Sequence, residues 1–262
     1  MESSKGGGLS WTTAALLLAL IADAAWIVLT ATKQSAPDIQ MQWVAAAITL
    51  SLLCGVAGYL VNQRIDGILI DDRNRLSLAR LQWVAWFIIL FSGYFVLAVL
   101  NTHNGGNFPE MDAKLFGLLG IVTGSAVVSN LIVDAKKSDP QKSGTGANPA
   151  APAPTDPASQ QIGTIDRNAG PEQASWADLY LGEEVANRGV VDVSRLQQLV
   201  LTVLLIIVYV QALWGDLGTA AGSGSLASLP KVNSTFLELL GASHAGYLAY
   251  KATPKTSPGQ QG

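Results

Sequence analysis

Three residues put ionisable groups inside stretches that otherwise read as hydrocarbon: Asp23, Glu238 and His244. A carboxylate at membrane depth costs about 2.5 kcal/mol or more, so such groups either mark a proton or cation site or are held neutral by neighbouring hydroxyls. Asp23 and Glu238 are the only carboxylates well inside apolar runs. With the first helix running outward and the sixth inward, both fall in the outer half of a bilayer, with His244 nearer the midplane. Proton and ion paths usually show chains of such groups, and neither helix carries a second deep carboxylate. The hydrogen-bonded reading is therefore preferred.

Nucleophilic chemistry finds little support. Ser125 follows Gly124 and His244 follows Ser243, which invites comparison with rhomboid proteases. The chain reads TGSA where those enzymes have G-x-S-G, their second-helix His and Asn pattern is missing, and neighbours on one helix cannot form a nucleophile and base pair. No Walker A loop, dinucleotide-binding glycine fingerprint, HExxH or GxSxG element is present. With two histidines, and with Cys54 the only cysteine, no metal cage, disulfide framework or cofactor is expected, and the chain reads as no enzyme.

Two further constellations are Arg80 with Gln82 and Arg195 with Gln197, which fall on each other when the chain is compared with itself. DRNRLSLARLQ matches NRGVVDVSRLQ at a shift of 115, pairing Arg73 with Arg188 and Arg80 with Arg195. FPEMDAKLFGLLGIVTGSAVVS matches LPKVNSTFLELLGASHAGYLAY at a shift of 121, pairing Pro109 with Pro230 and Gly120 with Gly241. Each copy is a helical hairpin that leaves one side through an Arg-Leu-Gln element, turns at an outer proline, and returns through a Leu-Leu-Gly helix. Both copies start on the same side, so the repeat is parallel, with a pseudo-twofold axis along the membrane normal, unlike inverted repeats. Asp112 and Asn233 stand where a helix N-cap is needed. The arginines read most simply as anchors at the mouths of the outgoing helices. The pairs Gly120/Gly124, Ser125/Ser129, Cys54/Gly58 and Ala242/Gly246 are small-xxx-small spacings that suit close helix packing.

The elements that must carry these residues are membrane helices. Of 262 residues 49% are hydrophobic and only 13% charged, and the mean hydropathy is +0.32, whereas a soluble domain carries about a quarter charged residues. A net charge of −3 offers no basic surplus for phosphates, which argues against nucleic acid. Six stretches approach the roughly 20 apolar residues needed to cross a bilayer: 11–30, 41–61, 81–100, 113–133, 196–214 and 234–250. The sixth, with Glu238, Ser243 and His244, is the most polar, and a buried or interfacial helix is its alternative. Thirteen of the sixteen Lys and Arg fall on one side of this arrangement, placing both termini in the cytoplasm. Trp11, Trp43, Trp83, Trp86, Trp214 and Tyr250 sit near span ends, as an interfacial belt does. A cleaved signal peptide is the competing reading of the first span, but its n-region has one lysine and no small-x-small site precedes Lys33.

The expected organisation is an N-terminal transmembrane hairpin over 1–65, hairpin repeat 1 over 66–137, a disordered cytosolic Pro/Ala-rich linker over 138–175, and an amphipathic segment plus hairpin repeat 2 over 176–262. WADLYLGEEVANRG reads as an amphipathic helix on the membrane surface or under the bundle. The fold class is all-α integral membrane, a six-helix transmembrane bundle. The N-R turn, the S-x-x-R-x-Q element, the outer proline and the Leu-Leu-Gly helix resemble uncharacterised bacterial multi-pass membrane proteins built from tandem two-helix hairpins. The likeness covers roughly 71–133 and 182–250; it implies a bacterial inner-membrane location and contributes no catalytic residue. Two functions follow as expectations: a scaffold in the lipid bilayer that binds a protein partner on the cytosolic side, or a small channel or carrier for protons or ions using Asp23, Glu238 and His244.

Overall fold

The computed structural model describes residues 11–30, 36–137, 159–162, 165–223, 225–226 and 228–253. It is mostly helical: α1 (Trp11–Thr30), α2 (Ala36–Asn62), α3 (Leu78–His103), α4 (Ala113–Lys137), α5 (Val193–Ser223) and α6 (Ser234–Ala252), with one antiparallel hairpin of β1 (Ser159–Ile162) and β2 (Ile165–Asn168) between α4 and α5. Among the described residues four segments are long and apolar enough to cross a membrane: Asp38–Asn62, Leu78–His103, Ala113–Lys137 and Val193–Ser223. The helix α6, carrying Glu238, His244 and Lys251, does not reach that apolarity. The chain therefore has the make-up of an all-α membrane protein.

Contacts divide the chain into two compact units, each assembled from several segments. The first comprises Met1–Ile68, Ile88–Glu110 and Leu213–Leu229. In it α1 packs on α2, and the α2 indole of Trp43 donates to Ser92 Oγ at 3.0 Å while meeting Trp214 edge-on at 6.1 Å. Gln40 Nε2 donates to the Trp214 carbonyl at 2.8 Å. After α2 the chain reverses into a 3-10 turn, Ile65–Leu69, closed by Asn62 Nδ2 on the Gly67 carbonyl at 2.7 Å. Backbone meets backbone there: a Cβ on Gly58 would stand 2.5 Å from Ile68 N, so only glycine fits. Asn101 clamps the loop after α5 from both sides, donating to the Leu226 carbonyl at 2.8 Å and accepting from Leu226 N at 3.0 Å.

The second unit comprises Leu69–Phe87, Met111–Ala212 and Pro230–Gly262. Its helices α4 and α6 start as the prolines require. Asp112 Oδ1 accepts from Lys114 N at 2.8 Å and Asn233 Oδ1 from Phe236 N at 2.8 Å, satisfying first-turn N–H groups that have no partner within the helix. The two helices lie side by side and parallel. Gly117 faces Leu237, Gly241 faces Ile121, and Lys251 Nζ bonds Ser129 Oγ at 2.8 Å, offsets of 120, 120 and 122 residues. Nearby, Gln82 Nε2 donates to Thr202 Oγ1 at 2.6 Å, and Trp86, fully buried, meets Tyr209 and Phe236 edge-on.

Between α4 and α5 the structure departs from the sequence reading twice. Residues 138–158 of the expected linker lie outside the described residues, but from Ser159 the same stretch forms the hairpin and a 3-10 turn, Pro171–Gln173, with Ile165 only 2% exposed. The segment read as an amphipathic helix is instead two 3-10 turns, Trp176–Leu179 and Val185–Asn187, with an antiparallel bridge between Leu181 and Val191 on either side of the second. The cause is local. Asp178 caps its own turn through Ser175 N at 2.9 Å and also accepts from Leu76 N at 3.2 Å. A Cβ at Gly182 would overlap Asn187, and Gly189 takes φ +73, which breaks a helix. Side-chain and backbone competition of this kind outweighs helical periodicity.

A buried charge cluster as the candidate functional site

The densest chemistry of the described residues lies at one end of the second unit, around Glu183. Its Oε1 stands 2.9 Å from Arg73 Nη2 and 2.6 Å from Arg195 Nη1, and its Oε2 2.6 Å from Lys251 Nζ. The contact to Arg195 is a charge contact rather than a directed hydrogen bond, because Nη1 has no hydrogen-bond partner. Arg195, 2% exposed, directs Nη2 to the Asp178 carbonyl at 2.6 Å and Nε to that of Leu179 at 3.3 Å. Arg73 is completed by Asp71, 2.5 Å from Nη2. One step along, Glu184 accepts from Lys136 Nζ at 2.7 Å, and the same ammonium reaches the Lys251 carbonyl at 2.5 Å near the end of α6. Arg75 pairs with Asp166 at 3.0 Å and Asp178 at 3.3 Å.

Two adjacent carboxylates thus gather cations from four separate segments: the turn before α3, the end of α4, the start of α5 and the end of α6. Burial alone would raise the Glu183 pKa, but the charges of Arg195, Arg73 and Lys251 outweigh it and hold the carboxyl well below its usual range. Burial likewise opposes the charge on Arg73, and Glu183 and Asp71 more than restore it. Arg75 is the exception: burial, with Arg73 and Arg195 adding repulsion, lowers its pKa despite Asp178 and Asp166. Beside the cluster an open cleft of about 260 Å³ is lined by Arg75, Asp166, Asn168, Asp178 and Arg188 among others. Its charges are already matched within the chain, and among the described residues no group of three or more His, Cys, Asp or Glu could hold a metal.

The residues singled out from sequence are dispersed. Asp23 lies in α1, its side chain outside the described residues. Glu238 is exposed on α6, six positions and so about 240° around the helix from His244, which is 3% exposed. The structure does not bring those two together. Arg80 is exposed and donates to the Ile70 carbonyl at 2.5 Å, whereas its repeat counterpart Arg195 is buried against Glu183. Gln82 is buried at 1%, its counterpart Gln197 is exposed, and the neighbouring Gln198 turns inward to Gln82 Oε1 at 3.4 Å. The matched motif thus performs different tasks in its two copies.

Sequence reasoning missed Glu183, Arg73, Lys136 and Lys251. In the sequence the lysines and arginines count toward membrane orientation, and Glu183 falls within the stretch read as an amphipathic helix. The one available signal was the adjacent pair Glu183-Glu184 following Gly182. Compared with protein-family models, curated proteins and solved structures, this chain matches none.

Proposed function

We propose that this chain is a non-enzymatic integral membrane protein that presents a partner-binding platform on the cytosolic side of a bacterial inner membrane. In this reading α1 to α6 make six spans with both termini cytoplasmic, the last four helices form two parallel hairpin repeats, and the chain is akin to tandem-hairpin membrane proteins. The near-equality of the α4/α6 contact offsets with the repeat shift of 121 supports the parallel arrangement, since equivalent residues meet at a pseudo-twofold seam. The observation that carries the platform is Glu183 with its three cations. It holds the 165–192 segment as an ordered layer against the ends of α4, α5 and α6, at an expense in buried charge that a mere connector does not need. A channel or carrier using Asp23, Glu238 and His244 is the competing function.

A photo-crosslinker placed at the exposed Val190 is expected to yield one discrete adduct in native membranes, and purified protein in liposomes to pass no H⁺, Na⁺ or K⁺ above empty liposomes between pH 5 and 8. A reproducible ion flux lost on His244→Phe, with no adduct from Val190, overturns the platform and establishes the carrier.

A further inference from the structure

Five polar side chains lie buried at one-turn intervals along the seam of α4 and α6: Ser125 and Ser129 on α4, and His244, Tyr247 and Lys251 on α6. Residues three or four apart share a helix face, so each set forms a column. The Lys251 Nζ to Ser129 Oγ bond of 2.8 Å joins the two columns, and Tyr247 Oη is 3.1 Å from the same ammonium. Next to Lys251 is a small, partly open cavity of about 10 Å³, room for one water, bordered by Tyr247, Lys251, Glu183 and Arg195 among others. One turn farther from the charge cluster, the columns end in Ser125 and His244, 4% and 3% exposed. Neither the Ser125 hydroxyl nor either His244 ring nitrogen has a hydrogen-bond partner. A neutral imidazole carries one donor and one acceptor, and a hydroxyl both. Buried polar groups in native proteins are met by protein or by ordered water.

We infer that the α4/α6 seam is a hydration site: water enters at the cavity beside Lys251 and Glu183, passes Ser129 and Tyr247, and reaches Ser125 and His244. The partnered end fixes the register and the unpartnered end supplies the donors and acceptors that a water needs. Apolar seams stay dry, whereas the unmatched donors and acceptors of Ser125 and His244 are the groups that ordered water satisfies in protein interiors. The consequence is a histidine deep in the unit that exchanges protons with the aqueous phase at the charged end. This inference stands apart from the platform reading, since a hydrated seam is compatible with either proposed function.

Only two histidines are present, and His103, exposed in the last turn of α3, is an internal control. Deuterium replaces the imidazole Cε1 proton only where water reaches the ring, so full-length protein in nanodiscs held in D₂O reports both sites by mass spectrometry. His244 is expected to exchange within about tenfold of His103 while the α6 backbone amides stay protected. Ser125→Val, which removes a hydroxyl without breaking any bond, is expected to slow His244 by about tenfold or more and leave His103 unchanged. Val127→Ala, at an exposed α4 position, is expected to change neither. If Ser125→Val does not fold, Ser125→Ala, which adds no volume, makes the same comparison. Exchange at His244 slower than tenfold below His103, exchange that accompanies loss of amide protection, or equal effects of the Ser125 and Val127 changes each overturn the inference.

Discussion

At the scale of single residues, Glu183 stands out because it has three cations for one charge. Replacing it by Gln keeps the shape and leaves Arg195 and Lys251 without their carboxylate in a buried setting, with Arg73 held by Asp71 alone. That change is expected to destabilise the protein by about 3 kcal/mol or more, read from unfolding in detergent. The pH dependence has a definite sign. A carboxyl whose folded pKa is depressed contributes stability that is complete above its unfolded value of about 4.3 and is lost as pH falls through the folded value. The unfolding midpoint should hold steady from pH 7 to 5 and fall at lower pH, and Glu183→Gln should blunt that fall. Glu238 predicts the reverse behaviour. It is exposed on α6, with no ion pair among the described residues, so Glu238→Leu should alter stability by no more than about 0.5 kcal/mol.

At the scale of elements, the informative position is where α2 meets the 3-10 turn Ile65–Leu69. Gly58 and Gly67 bring two backbones together, and the atoms a Cβ on Gly58 would strike are Ile68 N and Gly67 N, which cannot swing away as the end of a side chain can. Gly58→Ala, which elsewhere in a helix would help slightly, should here cost about 1–3 kcal/mol in the same unfolding measurement. Gly120→Ala has open space around it and should be neutral or mildly stabilising. The two glycines occur in equally apolar helical sequence, and nothing local separates them. Glycine spacing thus suggested close packing at both sites, and only the fold shows that Gly58 uses it.

At the scale of the whole chain, the stretch between α4 and α5 divides into parts with opposite expectations. Residues 139–158 contain no large apolar side chain that a core could bury. Replacing them with a Gly/Ser segment of equal length should leave the detergent unfolding midpoint unchanged. Replacing 165–187 in the same way removes Ile165, Glu183 and Glu184 together and should abolish the folded monodisperse species, a result visible by size-exclusion chromatography. Loss of folding from the first replacement would mean that those residues are structural.

The sequence by itself determined what composition and periodicity can encode. Long apolar runs dictated membrane-length helices, because hydrocarbon demands that each backbone polar group be satisfied within its own segment. The prolines with Asp112 and Asn233 placed the starts of α4 and α6, because capping is a matter of neighbours two or three residues apart. Tertiary structure alone decided the charge cluster. Arg73, Lys136, Glu183, Arg195 and Lys251 are up to 178 residues apart in the chain, and Lys251 looks the same in sequence whether it anchors at lipid headgroups or is buried beside a carboxylate. It also decided that Arg195 turns inward while Arg80 stays exposed. A repeat preserves residue type, whereas the direction a side chain takes depends on what the other copy, and the segment folded between them, places opposite it.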